Sequence, residues 1–305
     1  MESCLELAGP DGRNPMGYFA AIGALLALAR VRPDRQPRLS WTVAPIPRPV
    51  LYGFDDIGEV VTALDEDRRA WSGSPALFFS DEVKFSAADQ RRYLLACRTA
   101  DDGGRSASLA AAVVAEGAFA GKGDGKPTDL HFTAGQQRFL GIAQKLRDEI
   151  TPEMLLEALV GPWGYSHPST DFPTFGWDVT DDRVYALSAR NPSTDTKYTV
   201  PGADWLAFMG LPAWPVVRGG GQALTAGSCG SWKKGSFSWP LWSQPLSRAA
   251  VFSLLNAVGT SQQTAHLGVF RQMRSLIRRA DQGGYGSFSP ASAIWEAEAQ
   301  HERRA

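Results

Sequence analysis

The amino-acid sequence predicts an α+β protein. It has a helical N-terminal part carrying a short sheet and a mixed, loop-rich α+β C-terminal part. Three observations lead there. An apolar run over 16–29 follows Asn14-Pro15, a capping residue and a residue favoured at the first helical position. Capping patterns recur as far as Thr151-Pro152-Glu153. After Gly161 the composition shifts to proline, glycine and tryptophan, and the apolar runs become short. We place an N-terminal α+β region at 1–120, with a buried helix at 15–30, and a C-terminal α+β region at 127–305.

Element by element, a short strand is expected around Leu5 and Leu7, and a turn through Gly9-Pro10-Asp11-Gly12. The helix over 16–29 is apolar nearly all round, so it should be buried. Gly17 and Gly23 would each cost about 1 kcal/mol in an exposed helix, which points to close backbone packing. Arg38-Leu39-Ser40-Trp41 reads as a strand, and 54–69 as a helix. Ser86 caps a helix ending near Arg98, and a further helix is expected over 108–119. Gly121-Lys122-Gly123-Asp124-Gly125-Lys126-Pro127 reads as a loop or hinge. Thr133 to Gln136 reads as a capping box for a helix reaching Ile150. Strands are expected at 183–189, 214–218 and 236–239, with a helix near 204–209. Ser247 caps a helix through Val258, and 266–280 reads as either a helix or a strand.

Several chemistries fail on inspection. A phosphate loop needs Ser or Thr after its Gly-Lys, and Pro127 stands there instead. Gly227-Ser228-Cys229-Gly230-Ser231-Trp232 is similar to a papain-type segment, but Trp232 occupies the position of the nucleophile. His131, His167, His266 and His301 lie far apart, so turn and packing roles are favoured and no metal is expected. Cys4, Cys97 and Cys229 form no CxxC pair or disulfide framework, which fits a reducing compartment. Glu2, Glu6 and Asp11 precede the apolar run with no basic leader, and that run is short for a membrane span. No phosphodiesterase, NTPase or hydrolase signature survives, and the expectation is a cytoplasmic, non-membrane protein with no cofactor.

The net charge of −1 hides an asymmetry. Residues 205–280 contain no Asp or Glu and eight basic residues: Arg218, Lys233, Lys234, Arg248, Arg271, Arg274, Arg278 and Arg279. That segment carries +8; the rest has 23 basic against 32 acidic residues and carries −9. It also holds Trp205, Trp214, Trp232, Trp239 and Trp242, most of which should be core. Basic residues on an acid-free surface attract a polyanion, and mixing with aromatics suits a nucleic-acid groove. If 266–280 is a helix, Arg271, Arg274 and Arg278 share one stripe over Phe270, Met273 and Ile277; in a strand they align less well. Two other readings stay open: an ordinary solvated basic face over a tryptophan core, and a protein–protein surface.

Leu7-Ala8-Gly9, then Asn14-Pro15-Met16-Gly17-Tyr18-Phe19-Ala20-Ala21-Ile22-Gly23-Ala24-Leu25, then Leu39-Ser40-Trp41, resembles the opening of proteins from type I-G (formerly I-U) CRISPR loci. Further blocks are similar: Trp177-Asp178, Asp182 to Leu187, Asn191-Pro192-Ser193, Pro201 to Phe208, and Phe237 to Trp242. The resemblance leaves open an effector large subunit or a helicase-nuclease extension. It implies a non-catalytic subunit of a surveillance complex that works with other effector subunits. Such a subunit contacts guide RNA and target DNA, including a protospacer-adjacent motif, while guide pairing supplies most of the specificity. No catalytic residue carries over. The alternative is a scaffold subunit of the same defence system without nucleic-acid contact.

Overall fold

The computed structural model describes residues 3–119, 123–181, 197–220, 222–231, 234–257, 264–279 and 285–297. Strand β1 (Cys4–Glu6) leads through a turn into helix α1 (Pro15–Val31). The Asn14 side chain accepts from the Met16 amide, and Pro15 fills the first helical position. Every residue from Pro15 to Leu28 is buried, as its all-round apolarity predicts.

Strands β2 (Arg38–Trp41) and β3 (Pro49–Tyr52) follow. Then come helices α2 (Ile57–Arg69), α3 (Pro75–Phe78), α4 (Ala87–Thr99) and α5 (Arg105–Val113). Asp56, Ser74 and Ser86 cap the first three of these helices through side-chain oxygens, each accepting orphan amides of the first turn.

The helix expected over 108–119 stops early. At Val114 the chain becomes strand β4 (Val114–Phe119), which pairs with β5 (Gly125–Pro127). Gly117 adopts φ 76°, a left-handed conformation that ends helical geometry, and its amide donates to Gln90 Oε1 at 2.9 Å. The expected hinge over 121–127 is therefore partly a strand, and 120–122 lie outside the described residues.

Helix α6 (Phe139–Glu149) begins later than its expected capping box. The Thr133 hydroxyl pairs with His131 Nε2 at 3.3 Å instead of capping a helix. Helix α7 (Pro152–Val160) is capped by Thr151, as expected. The short pair β6 (His167–Pro168) and β7 (Tyr198–Thr199) then leads to α8 (Pro201–Gly210), all of whose residues are buried. Asp204 on α8 is fully buried, and accepts from Thr199 Oγ1 at 2.6 Å, Thr174 Oγ1 at 3.1 Å and the Phe175 amide at 3.3 Å. The expected strand over 183–189 lies outside the described residues.

The last part holds the hairpin β8 (Val216–Gly219) and β9 (Gln222–Thr225), then β10 (Ser228–Ser231), β11 (Lys234–Trp242) and β12 (Leu246–Ser247). Helix α9 (Arg248–Leu255), capped by Ser247, precedes β13 (Val269–Arg279), β14 (Gly286–Phe288) and β15 (Ser292–Glu296). The α+β class is as the sequence predicts.

Two sheets organise the molecule. A four-stranded antiparallel sheet runs β1-β3-β2-β12, so a C-terminal strand completes an N-terminal sheet. A five-stranded antiparallel sheet runs β10-β11-β13-β14, with β15 also on β13. One continuous core joins them to α1 and α8. Tyr18 stacks on Trp41 at 5.3 Å between ring centroids and touches Trp239 at 5.8 Å, while Phe19 meets Trp214 at 4.8 Å and Phe237 at 5.2 Å. The indole N–H groups of Trp239 and Trp242 donate to the carbonyls of Gly12 at 2.8 Å and Leu39 at 2.7 Å. Large rings with one polar atom are buried this way when that atom finds an acceptor.

Helices α1 and α8 cross at glycines. A Cβ at Gly23 would fall inside the contact radius of the Leu206 carbonyl oxygen, and one at Gly210 would lie 2.5 Å from the Phe19 oxygen. Backbone cannot give way as a side chain can. Gly23→Ala should therefore destabilise the fold by about 3 kcal/mol or more. Gly161→Ala is the control, since nothing lies within 4 Å of its added Cβ. It should stay within about 0.5 kcal/mol in the same denaturant titration.

Candidate nucleic-acid interface

The segment that was open between helix and strand is strand β13, and this sorts the arginines. Side chains alternate across a strand. Val269, Met273, Ser275 and Ile277 are buried on the core side, whereas Arg274, Leu276 and Arg278 are exposed on the other. The stripe of Arg271, Arg274 and Arg278 expected for a helix does not form.

β11 continues the outer surface. Ser238 pairs with Arg274, Ser236 with Leu276, and Gly235 with Ile277. Lys234, one step before Gly235, therefore lies on the same face as Arg278 and is exposed. Phe237, Trp239 and Leu241 alternate with these residues and are fully buried. On β10, Cys229 pairs with Ser236 and Ser231 with Lys234, so both belong to the outer face.

That face is a cation–apolar–cation stripe. Arg274 and Arg278 sit about 13 Å apart along the strand, with Leu276 between them at 53% exposure. Arg274 Nε donates to Ser238 Oγ at 3.0 Å, which lays the guanidinium across the sheet. Strands β10, β11 and β13 contain no Asp or Glu.

The other predicted residues lie elsewhere. Arg279 turns inward at the end of β13, donating to the carbonyls of His131 at 3.0 Å and Asp129 at 2.8 Å, over the Phe132 ring. Burial pushes its guanidinium down to about 10, against the opposing pull of Asp129. Arg271 also points toward the core side. It donates to the Ala44 carbonyl at 3.3 Å and pairs with Glu296 at 2.6 Å. Arg218 is on β8, where its side chain lies over Gly117; a Cβ there would be 3.1 Å from Nη1. Arg248 opens α9, with its guanidinium over the Phe252 ring. Lys233 and its neighbour Trp232 lie outside the described residues. The sequence segment thus divides into one shared face (Lys234, Arg274, Arg278), two inward tethers (Arg271, Arg279) and two separate cations (Arg218, Arg248). Trp205, Trp214, Trp239 and Trp242 are all core.

His131 has a packing role. It is buried against Phe139, with Nε2 at 2.8 Å from Glu82. Burial holds its pKa below the ordinary value, outweighing the opposite pull of Glu82. Burial pushes the Cys97 thiol up to about 12, which keeps it protonated and inert. Among the described residues, no group of three or more His, Cys, Asp or Glu side chains could hold a metal ion. No described helix is long and apolar enough to cross a membrane.

Compared with protein-family models and with curated proteins, the sequence matches none.

Two expectations follow. Arg279→Ala strands two carbonyls and should cost about 1–3 kcal/mol, while Arg274→Ala and Arg278→Ala should stay within about 0.5 kcal/mol. Chemical denaturation of the three variants separates tether from surface. For His131, the folded pKa lies below the unfolded value of about 6.5, so the unfolded chain binds the extra proton. Stability should fall as pH drops through that value. A melting series between neutral and mildly acid pH should show this fall, and His131→Asn should flatten it.

Proposed function

We propose that this protein is a non-catalytic nucleic-acid-binding subunit of a type I CRISPR effector complex, contacting the backbone of guide RNA or target DNA. One observation carries the reading: Lys234, Arg274 and Arg278 share one exposed sheet face on strands without a single acidic residue. An antiparallel sheet holds its outer side chains at fixed spacing, so the cations are preorganised for a repeating polyanion. Leu276, exposed between them, offers apolar contact to sugars or bases. Serines 231, 236 and 238 add hydroxyl donors on the same face. The complex itself is inferred from the type I-G resemblance of the N-terminal and C-terminal blocks.

The test is binding of labelled single-stranded RNA and duplex DNA across a salt series. The triple variant Lys234→Glu, Arg274→Glu, Arg278→Glu should bind about tenfold or more weakly at low salt, with a shallower dependence of affinity on salt. Its melting curve should match the parent, because all three side chains are exposed. Unchanged affinity and an unchanged salt slope would sink the reading.

A further inference from the structure

A groove of about 590 Å³ opens between the turn before β2 and the start of α9. Its floor and walls include Ala29, Pro33, Pro37, Ala249 and Phe252. Two cations, Arg38 and Arg248, lie at its rim, and no acidic residue lines it. It shares no residue with the outer face of the five-stranded sheet.

Arg248 has no carboxylate within ion-pair distance among the described residues, and its guanidinium lies 5.6 Å from the centroid of Phe252. Burial, and then the charge of Arg30, hold its pKa below the ordinary arginine value. Arg30 is itself paired with Asp67 at 2.7 Å. Arg38 lies over the Tyr52 ring, its guanidinium 6.0 Å from the centroid. At the lip, Gln36 holds a left-handed backbone at φ 47°, a conformation that costs a non-glycine residue about 1 kcal/mol or more. Proline walls and a fixed lip make a preformed rather than an adaptable surface.

Charge complementarity and the apolar floor together define the occupant. Arg248, without a carboxylate partner, calls for one, and the apolar floor for an aliphatic or aromatic side chain beside it. A nucleobase is a poorer fit, because the one ring in the groove, Phe252, is already covered by Arg248. We propose that this groove docks a short segment of a partner protein, seating an apolar side chain on Ala29, Ala249 and Phe252 and pairing an adjacent Asp or Glu with Arg248. The docking is independent of nucleic-acid binding, since the two surfaces have no residue in common.

The test pans a phage-displayed random-peptide library against the full chain, then measures the enriched peptides by fluorescence anisotropy. Expected are peptides with Asp or Glu within two residues of Leu, Ile or Phe. Arg248→Glu and Ala249→Trp should each weaken them by about tenfold or more. The triple variant of the sheet face should bind them normally. Melting curves check that both groove variants fold. Should Ala249→Trp melt early, Arg248→Lys against Arg248→Ala decides, the lysine retaining more of the binding. Enrichment without acids, no enrichment at all, or equal binding by Arg248→Glu overturns the proposal. Competition by oligo(dT) would assign the groove to nucleic acid instead. Self-association in sedimentation that Ala249→Trp abolishes would assign it to a second copy of this chain.

Discussion

The crossing of α1 and α8 is the constraint on which the rest of the structure depends. Gly23 and Gly210 let the two backbones meet without intervening side chains. Both helices are buried on every side, so neither has a solvent face to accommodate a shift. The close approach sets where Tyr18 and Phe19 project, and those two rings are the centre of the aromatic core. Phe237 and Trp239 pack against them from β11. The inner face of the five-stranded sheet is thereby fixed, and with it the outer face, because side-chain direction alternates with period two. A one-residue slip of β11 or β13 would drive the arginines inward and the aromatic rings into water. Each fully buried ring is worth about 1.5–3 kcal/mol, so the register that carries the basic face is held by the core rather than by the basic residues.

Local signals in the sequence translated well, and non-local ones did not. Asn14, Ser86, Thr151 and Ser247 cap the helices they were expected to cap, because a cap is decided within four residues. Thr133 failed because His131, itself held by Glu82, claimed its hydroxyl. The run over 114–119 failed because its fate is set by pairing with β5 and by Gly117, against helical propensities upstream. The buried helix and the tryptophan core were legible from apolarity alone.

The candidate site was half legible. The charge asymmetry picked out the stretch of chain that holds the candidate face, but a count of charges has no direction. The period-two alternation of Lys234, Ser236 and Ser238 against Phe237, Trp239 and Leu241 is the signal that could have separated outward from inward residues. Applied to β13, the same alternation sets Arg274 and Arg278 apart from Arg271 and Arg279. The groove at Arg38 and Arg248 had no such signal. Those residues are brought together by the pairing of β12 with β2, in which Ser247 meets Arg38, a contact that spans most of the chain.

The sorting of arginines also changes the meaning of the charge balance. Arg279 donates to two main-chain carbonyls, and Arg271 donates to one carbonyl and pairs with Glu296. Their charges are absorbed locally by packing and hydrogen bonding, and they present little to a ligand. Arg274, Arg278 and Lys234 are exposed on strands without acids. Salt screens exposed charges beyond about 8–10 Å, so distant carboxylates do little to cancel them. A polyanion approaching that face meets a local potential that the near-neutral total conceals.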